Sequence, residues 1–308
     1  MPLMSDWSDG LCGALDEEEK GLAAACHLKP GMDGPEFEAN LGLLLAFDQT
    51  RSLIDRFTSL GAPNFREERP AIGKARQLTD QRITALKRAI DTTLYDQFGM
   101  RQVDDEKAAA AYEQLLSGNG RKELVLATTN YDRAGEVALA ALDFDTDTGF
   151  RATLGRTPRL DPTGLVEHRG EKTPIIHLHG AVGWYEKDGA IEDHYADKPY
   201  NSSLGAPVVL YPDPDKDPTK DVAVSQLWAE FAKAVDAAEV VVVVGHSLHD
   251  PSLVRALRSA SLKKPVVIGY FDKQDKERIE STLPKALAVH LDFGPGLKIP
   301  NALKKVMT

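Results

Sequence analysis

Cysteine is scarce in this chain, which has only Cys12 and Cys26 among its 308 residues. A structural zinc module of the four-cysteine type needs twice that number, and a disulfide scaffold needs several pairs. The sequence therefore predicts a protein that carries neither a zinc module nor a disulfide framework.

Long apolar runs and an excess of basic residues are also missing. No stretch reaches the ~18 consecutive apolar residues of a membrane-spanning helix, and the N-terminal segment lacks the basic and apolar regions of a secretory signal. The 37 basic side chains are outnumbered by 47 acidic ones, which gives a formal charge of −10. Nucleic-acid binders normally present a basic face. We therefore expect a cytoplasmic protein that binds neither a membrane nor, directly, a nucleic acid.

The first part of the chain has the apolar spacing of helices. Apolar residues recur at near-helical intervals in 43–57 and 83–94, and a third helix is predicted around 105–116, before Ser-Gly-Asn-Gly at 117–120. A few helices of this size bury too little apolar surface by themselves. We therefore expect 1–118 to be a helical region that packs on a core formed by 119–308.

After residue 120 the pattern changes to short apolar runs separated by predicted helices. Runs without polar alternation are typical of strands buried on both faces of a sheet. They are LVLA (124–127), PIIHL (174–178), PVVLY (207–211), VVVVV (240–244), PVVIGY (265–270) and AVHL (288–291). Helices are predicted around 224–235 and from Asp250-Pro251, a capping residue followed by proline. This alternation predicts an α/β fold with a doubly wound, mainly parallel, Rossmann-like sheet.

Polar residues follow three of these runs directly. Thr-Thr-Asn-Tyr-Asp (128–132) follows the first run, His-Gly (179–180) follows the second, and Gly-His-Ser-Leu-His-Asp-Pro (245–251) follows the valine run. Open α/β sheets bind their ligands beyond the carboxyl ends of their strands. The sequence therefore predicts that the three segments meet at one crevice.

Each of these residues also has a purely structural interpretation. Asp132 can cap the following helix, Asn130 can hold a turn, and Gly245 with Ser247 can form an ordinary strand-to-helix turn. A histidine such as His179 or His177 can be a hydrogen-bonded core residue. Taken together and in this order, the segments favour a functional site.

The order TTNYD, HLHG and a valine run ending in GHSLHDP resembles the sirtuin-like domains of bacterial NAD hydrolases. Many of those proteins act in anti-phage defence. The resemblance covers roughly residues 120–255. It implies that NAD is the substrate, that the nicotinamide–ribose bond is hydrolysed, and that the protein works as a homo-oligomer or with a partner defence protein.

The resemblance also implies a role for each polar segment. The Asn and Asp of the first motif line the nicotinamide–ribose pocket in that family, the His of the HG motif is catalytic, and the Gly-x-Ser loop holds part of the dinucleotide. The catalytic residues implied here are Asn130, Asp132 and His179, and the NAD-binding residues are Thr128, Thr129, Gly180, Gly245, His246 and Ser247.

Two features of sirtuin-like proteins are missing. The four-cysteine zinc module of protein-deacylating sirtuins has no counterpart, which favours NAD hydrolysis over deacylation. The glycine-rich loop Gly-Ala-Gly-x-Ser after the first strand, which approaches the pyrophosphate, is also absent, because GLCGAL (10–15) follows no strand. Residues 1–7 resemble the segment downstream of that loop. We therefore expect the chain to start just after the loop.

Two other functions are compatible with the sequence. VVVVVGHSLH resembles the nucleophile elbow of α/β-hydrolases, with Ser247, Asp272 and His290 in the order of that catalytic triad. His249 stands where the elbow has its second glycine, and the hydrolase hypothesis leaves TTNYD and HLHG unexplained. Alternatively, the chain is a non-catalytic nucleotide-sensing or scaffold domain.

Overall fold

A computed structural model of the chain describes residues 104–116, 123–152, 157–169, 171–194, 201–209, 222–246 and 248–291, with single residues and short stretches of 9–99. The chain divides into two compact units. The first comprises Met1–Gln97 with Tyr211–Pro214, and the second comprises Phe98–Leu210 with Asp215–Thr308. All candidate site residues belong to the second unit.

The first unit is helical wherever the structure describes it in regular form. Residues 9–13 and 88–96 are in helices, and no described residue of this unit is in a strand. The predicted helix through 83–94 is thereby confirmed over its described part, whereas the helix predicted within 43–57 lies outside the described residues. The packing of 1–118 on the core stays a prediction.

Helices of the second unit follow the predicted pattern. They are α1 (Asp105–Leu116), α2 (Ala134–Ala141), α3 (Val222–Ala237), α4 (Pro251–Ser261) and α5 (Lys273–Thr282), with a short 3-10 helix at Ser202–Leu204. Helix α4 begins as predicted, because Asp250 caps it and Pro251 is its first residue. No described helix has both the length and the apolar content needed to cross a membrane.

Five of the six predicted runs form parallel strands. Together with the short strand β2, which none of the runs predicts, these five strands make two three-stranded sheets, ordered β1-β5-β2 and β11-β10-β9. Their bounds are β1 (Leu126–Thr128), β2 (Thr146–Asp147), β5 (Thr173–His177), β9 (Val241–Val244), β10 (Val266–Tyr270) and β11 (Leu287–His290). The central strand β5 is buried along its whole length, as its unalternating sequence predicts.

The second unit also contains a five-stranded antiparallel sheet that the sequence did not predict, and the run PVVLY belongs to it rather than to a parallel sheet. Its order is β3-β4-β7-β6-β8. Its strands are β3 (Phe150–Arg151), β4 (Arg159–Leu160), β6 (Gly180–Lys187), β7 (Ala190–Asp193) and β8 (Ala206–Val209). Strands β6 and β7 are joined by Asp188 and Gly189, with φ of 53° and 74°, a two-residue turn that only antiparallel neighbours can share.

One hydrophobic cluster joins the two parallel sheets. It contains Ile176 of β5, Ile268 of β10 and Leu227 of α3. The indole Nε1 of Trp228 donates to the carbonyl of Leu178 at 3.0 Å, so that α3 anchors the chain just after β5. Burial of these side chains stabilises the segment from which the HLHG motif emerges.

Candidate active site

Strands β1 and β5 bring two of the polar segments to the same edge. Thr128 is paired with His177 in the parallel register, and Asn130 and His179 each lie two residues further along. The amide of Leu178 donates to the carbonyl of Thr128 at 2.8 Å. Asn130 and His179 therefore lie at the same end of this sheet, in agreement with the placement predicted from the strand ends.

The third segment reaches this edge through Asp250. Its Oδ2 lies 2.8 Å from Nε2 of His179, and its Oδ1 accepts hydrogen bonds from the amides of Ser252 and Leu253 at the start of α4. His179 is 4% exposed and Asp250 6%. One buried carboxylate thus binds the catalytic candidate and caps a helix at the same time. From the sequence, Asp250 is only a helix cap.

The tautomer of His179 follows from its contact with Asp250 when that carboxyl group is ionised. An ionised carboxylate can only accept, so Nε2 carries the hydrogen and the lone pair of a neutral ring lies on Nδ1. The ring of Tyr131, from the TTNYD segment, lies 6.4 Å from that of His179 between centroids. The arrangement fits a proton acceptor that is held in one orientation by a carboxylate.

Asp132 is buried, and one of its oxygens is unsatisfied. Oδ1 accepts from the amide of Ala134 at 2.9 Å, which ties the TTNYD segment to the start of α2. Oδ2 has no hydrogen-bond partner among the described residues. Burial raises the pKa of this carboxyl, although the Ala134 amide and the charge of His177 offset part of the effect. Buried carboxylate oxygens without a hydrogen-bond partner are rare in protein cores, and carboxyl groups with a shifted pKa are common in functional sites.

A chain of buried and half-buried charged groups runs from His177 to Asp193. Nε2 of His177 is 3.0 Å from Oε1 of Glu136, Glu136 is paired with Nε of Arg133, and Nη1 of Arg133 is 2.9 Å from Oδ1 of Asp193. Burial works against the charge of Glu136, but the His177 hydrogen bond and the Arg133 charge outweigh it and lower its pKa. Sequence analysis identified neither Glu136 nor Asp193, because no motif contains them.

The remaining candidate residues are placed as follows. The hydroxyl of Thr128 accepts from the amide of Asn130 at 3.0 Å and holds the turn, while Thr129 is half-buried. Nδ1 of His246 accepts from the amide of Leu248 at 2.8 Å. Gly245 is exposed and has a φ of 70°. Ser247 lies outside the described residues.

Gly180 has a packing reason to be glycine. Its φ is 74°, and a Cβ at this position would lie 2.0 Å from the carbonyl oxygen of Val208 in β8. The close approach of two strands therefore requires the missing side chain, independently of any ligand.

We expect Gly180→Ala to lower the free energy of unfolding by at least about 2 kcal/mol, because it adds a backbone clash to left-handed strain. Gly245→Ala is the matched control. Its φ is similar, but a Cβ there meets nothing within 4 Å, so only the strain, about 1 kcal/mol, remains. Urea unfolding of the two variants measures the difference. Equal losses would show that the β6–β8 contact does not select glycine.

Two residues of the alternative hydrolase triad, Asp272 and His290, are described by the structure. Oδ1 of Asp272 accepts from the amide of Asp275 at 2.7 Å and caps α5. The ring of His290 faces Tyr270, with centroids 5.3 Å apart, and no described hydrogen bond joins Asp272 to His290. At the end of β5, by contrast, His177 and His179 are each bound to a carboxylate.

Two comparisons with known proteins give no match from which the chemistry of these residues could be inferred. No model of a known protein family matches the chain, and no curated protein matches it. Within the described residues, no three His, Cys, Asp or Glu side chains converge in a way that could hold a metal ion.

Proposed function

We propose that this protein hydrolyses NAD at the bond between nicotinamide and ribose, with residues at the ends of β1 and β5. The observation that carries the proposal is the buried pair of His179 and Asp250, 2.8 Å apart, at the same sheet end as Asn130. The similarity of TTNYD, HLHG and GHSLHDP to the sirtuin-like domains of bacterial NAD hydrolases supports the same reaction.

The reaction places modest demands on the protein. The glycosidic nitrogen of NAD is already cationic, so nicotinamide leaves as a neutral molecule with the bonding electrons. Positive charge develops on the ribose, water adds to its C1′ carbon, and the water loses one proton. The products are nicotinamide, ADP-ribose and a proton. The protein therefore has to orient the ribose, stabilise positive charge and accept a proton.

The residues at the strand ends can meet each demand. His179, with its lone pair on Nδ1, accepts the proton from water or a ribose hydroxyl, and Asp250 holds its ring and stabilises the imidazolium that forms. Asp132 supplies negative potential near the developing cation through its unsatisfied oxygen. Asn130, a neutral donor and acceptor, orients a ribose hydroxyl or the water.

We further propose that the two parallel sheets belong to one doubly wound, Rossmann-like core. The single hydrophobic cluster that contains both Ile176 and Ile268 supports this arrangement. From the composition we also propose that the protein is cytoplasmic. From the family resemblance we propose that it acts in bacterial anti-phage defence, as a homo-oligomer or with a partner defence protein.

Incubation of the purified protein with NAD tests the proposed reaction. We expect free nicotinamide and ADP-ribose in equal amounts, measured by chromatography. His290→Gln, which removes the histidine of the hydrolase triad, should leave this turnover unchanged. Folded protein that releases no nicotinamide, with any in-frame upstream segment restored, would contradict the proposal, and ester cleavage lost in His290→Gln would support the hydrolase.

A non-catalytic nucleotide-binding domain is the second candidate. It is favoured by the burial of His179 and Asp132, which are 4% and 7% exposed, because deeply buried polar side chains often serve structure alone. Calorimetric binding of NAD without release of nicotinamide is the result expected of this candidate.

A further inference from the structure

The antiparallel sheet begins directly at the strand-end site. Strand β6 starts at Gly180, the residue after His179, so this histidine is covalently attached to the sheet. The amide of Val182 in β6 donates to the carbonyl of Tyr131 at 2.9 Å. That hydrogen bond joins the sheet to the TTNYD segment, one residue before Asp132. The antiparallel sheet is therefore connected to both strand ends that carry candidate catalytic residues.

A buried ion pair makes a second connection between the sheet and the TTNYD segment. Nη1 of Arg133 lies 2.9 Å from Oδ1 of Asp193, the last residue of β7. The two side chains are 6% and 5% exposed, so water and salt screen their attraction only weakly. Arg133 directly follows Asp132, and its Nε is also paired with Glu136 in the first turn of α2. One guanidinium thus connects the start of α2 to the end of β7.

The position of Asp193 is set by the sheet itself. Asp193 lies opposite Trp184 in the antiparallel register of β7 and β6, and Trp184 is fully buried. The amide of the next residue, His194, donates to the carbonyl of Gly183 in β6 at 2.9 Å. The end of β7 is therefore fixed to β6, and its carboxylate is an anchored partner for the guanidinium of the neighbouring segment.

We propose that Arg133 and Asp193 are positioning residues, which hold the TTNYD segment against the antiparallel sheet. They act through the backbone on Asn130 and Asp132, and keep these side chains at the sheet end that they share with His179. The effect on catalysis rests on the proposed function, whereas the effect on the rigidity of the segment does not. Such a contact matters to an enzyme because a shift of about 1 Å in a reacting group can lower the rate by about 10².

Native-state hydrogen exchange tests this role without any substrate. Asp193→Asn keeps the shape of the side chain but removes the charge that Arg133 binds. We expect the Val182 amide, which donates to Tyr131, to exchange about tenfold faster or more relative to the Ile268 amide, because a charge-assisted hydrogen bond contributes roughly that factor. Ile268 lies in β10, the central strand of the second parallel sheet. Its exchange reports a general loss of stability, which the ratio removes.

Glu192→Gln is the matched control for this measurement. Glu192 precedes Asp193 on β7, and its carboxylate lies 3.4 Å from Arg159 in a partly exposed contact, so the exchange ratio should equal that of the wild type. Arg133→Lys carries the same expectation as Asp193→Asn where the latter folds poorly, since one ammonium cannot replace a guanidinium that bonds both Glu136 and Asp193. An unchanged ratio in both variants would overturn the proposal, as would an equal change in Glu192→Gln.

NAD turnover gives the second measurement. At a temperature where all variants are folded, Asp193→Asn and Arg133→Lys should lower kcat by about 10- to 10²-fold and change KM less, because orientation is lost while NAD contacts remain. Glu192→Gln should retain the wild-type kcat. Wild-type kcat in variants with a raised exchange ratio would overturn the role in catalysis. A raised ratio with no turnover in any protein, wild type included, would contradict the proposed function but support the positioning contact.

Discussion

His179→Ala is expected to lower the rate of nicotinamide release by about 10²–10⁴, the usual contribution of a well-placed proton acceptor. In the proposed reaction the imidazole of His179, two residues after β5, takes the proton from water, and alanine would leave no base in its place. Because NAD contacts elsewhere are kept, kcat should fall much more than KM changes. Steady-state rates at saturating and limiting NAD measure both quantities.

Asp250→Asn tests whether His179 acts as the base, because asparagine has almost the same shape as aspartate. The asparagine Oδ1 can still accept from Ser252 and Leu253, so α4 keeps its cap. Its amide nitrogen, however, donates where the carboxylate accepted, and the ring of His179 must then carry its hydrogen on Nδ1. The lone pair moves to the wrong nitrogen. We expect a loss of about 10²–10⁴ in kcat with a melting temperature close to that of the wild type.

Two surface histidines provide controls for this result. His194→Gln and His290→Gln remove histidines outside the strand-end site and should retain wild-type rates. Full activity in His179→Ala or in Asp250→Asn would exclude the pair from the chemistry. A loss in Asp250→Asn accompanied by a large fall in melting temperature would show that the carboxylate acts on stability instead.

The sequence predicts the parallel strands because the features that specify each strand lie within a few consecutive residues. Runs such as VVVVV (240–244) combine high β propensity with no polar alternation, which is typical of strands in a parallel sheet, although Val241–Val244 of β9 are only half-buried. The start of α4 is also specified by neighbouring residues. The Asp250 side chain accepts from amides of the first turn, and Pro251 has no amide hydrogen that needs an acceptor. The antiparallel sheet is harder to predict from the sequence. Asp188-Gly189 is nevertheless a pair typical of β-hairpin turns, and it could have indicated the positions of β6 and β7.

The site was predictable only in part. The ends of neighbouring parallel strands meet at one edge of a sheet, so Asn130 and His179 could be placed together from their motifs. Asp250 could not be predicted as the partner of His179, because the two residues are 71 positions apart. The capping role of Asp250 is also a sufficient explanation for an aspartate at that position. The contact between Arg133 and Asp193 spans 60 positions and follows from the antiparallel sheet, which the sequence did not predict.

Asp132→Asn is expected to lower NAD turnover by about 10² or more while leaving the protein as stable as the wild type or more stable. Asparagine keeps the oxygen that accepts from Ala134 and removes a buried charge whose second oxygen is unsatisfied. Removal of such a charge stabilises a fold, by about 1 kcal/mol or more. A residue that lowers stability but is needed for activity is typical of a functional site.

The pH dependence of unfolding separates this charge effect from packing. The pKa of Asp132 is raised in the folded protein, so the folded state holds its proton longer than the unfolded state does. The contribution of Asp132 to wild-type stability should therefore decline as pH rises from about 4, the ordinary aspartate value, through the raised folded value. The Asp132→Asn side chain cannot titrate, so the stability of this variant relative to the wild type should grow over that pH range and then level off.

Asp132→Ala, which loses the Ala134 hydrogen bond, should be less stable than Asp132→Asn by about 1 kcal/mol. A constant difference between wild type and Asp132→Asn at every pH would mean that the carboxyl is not titrating in the folded protein as described.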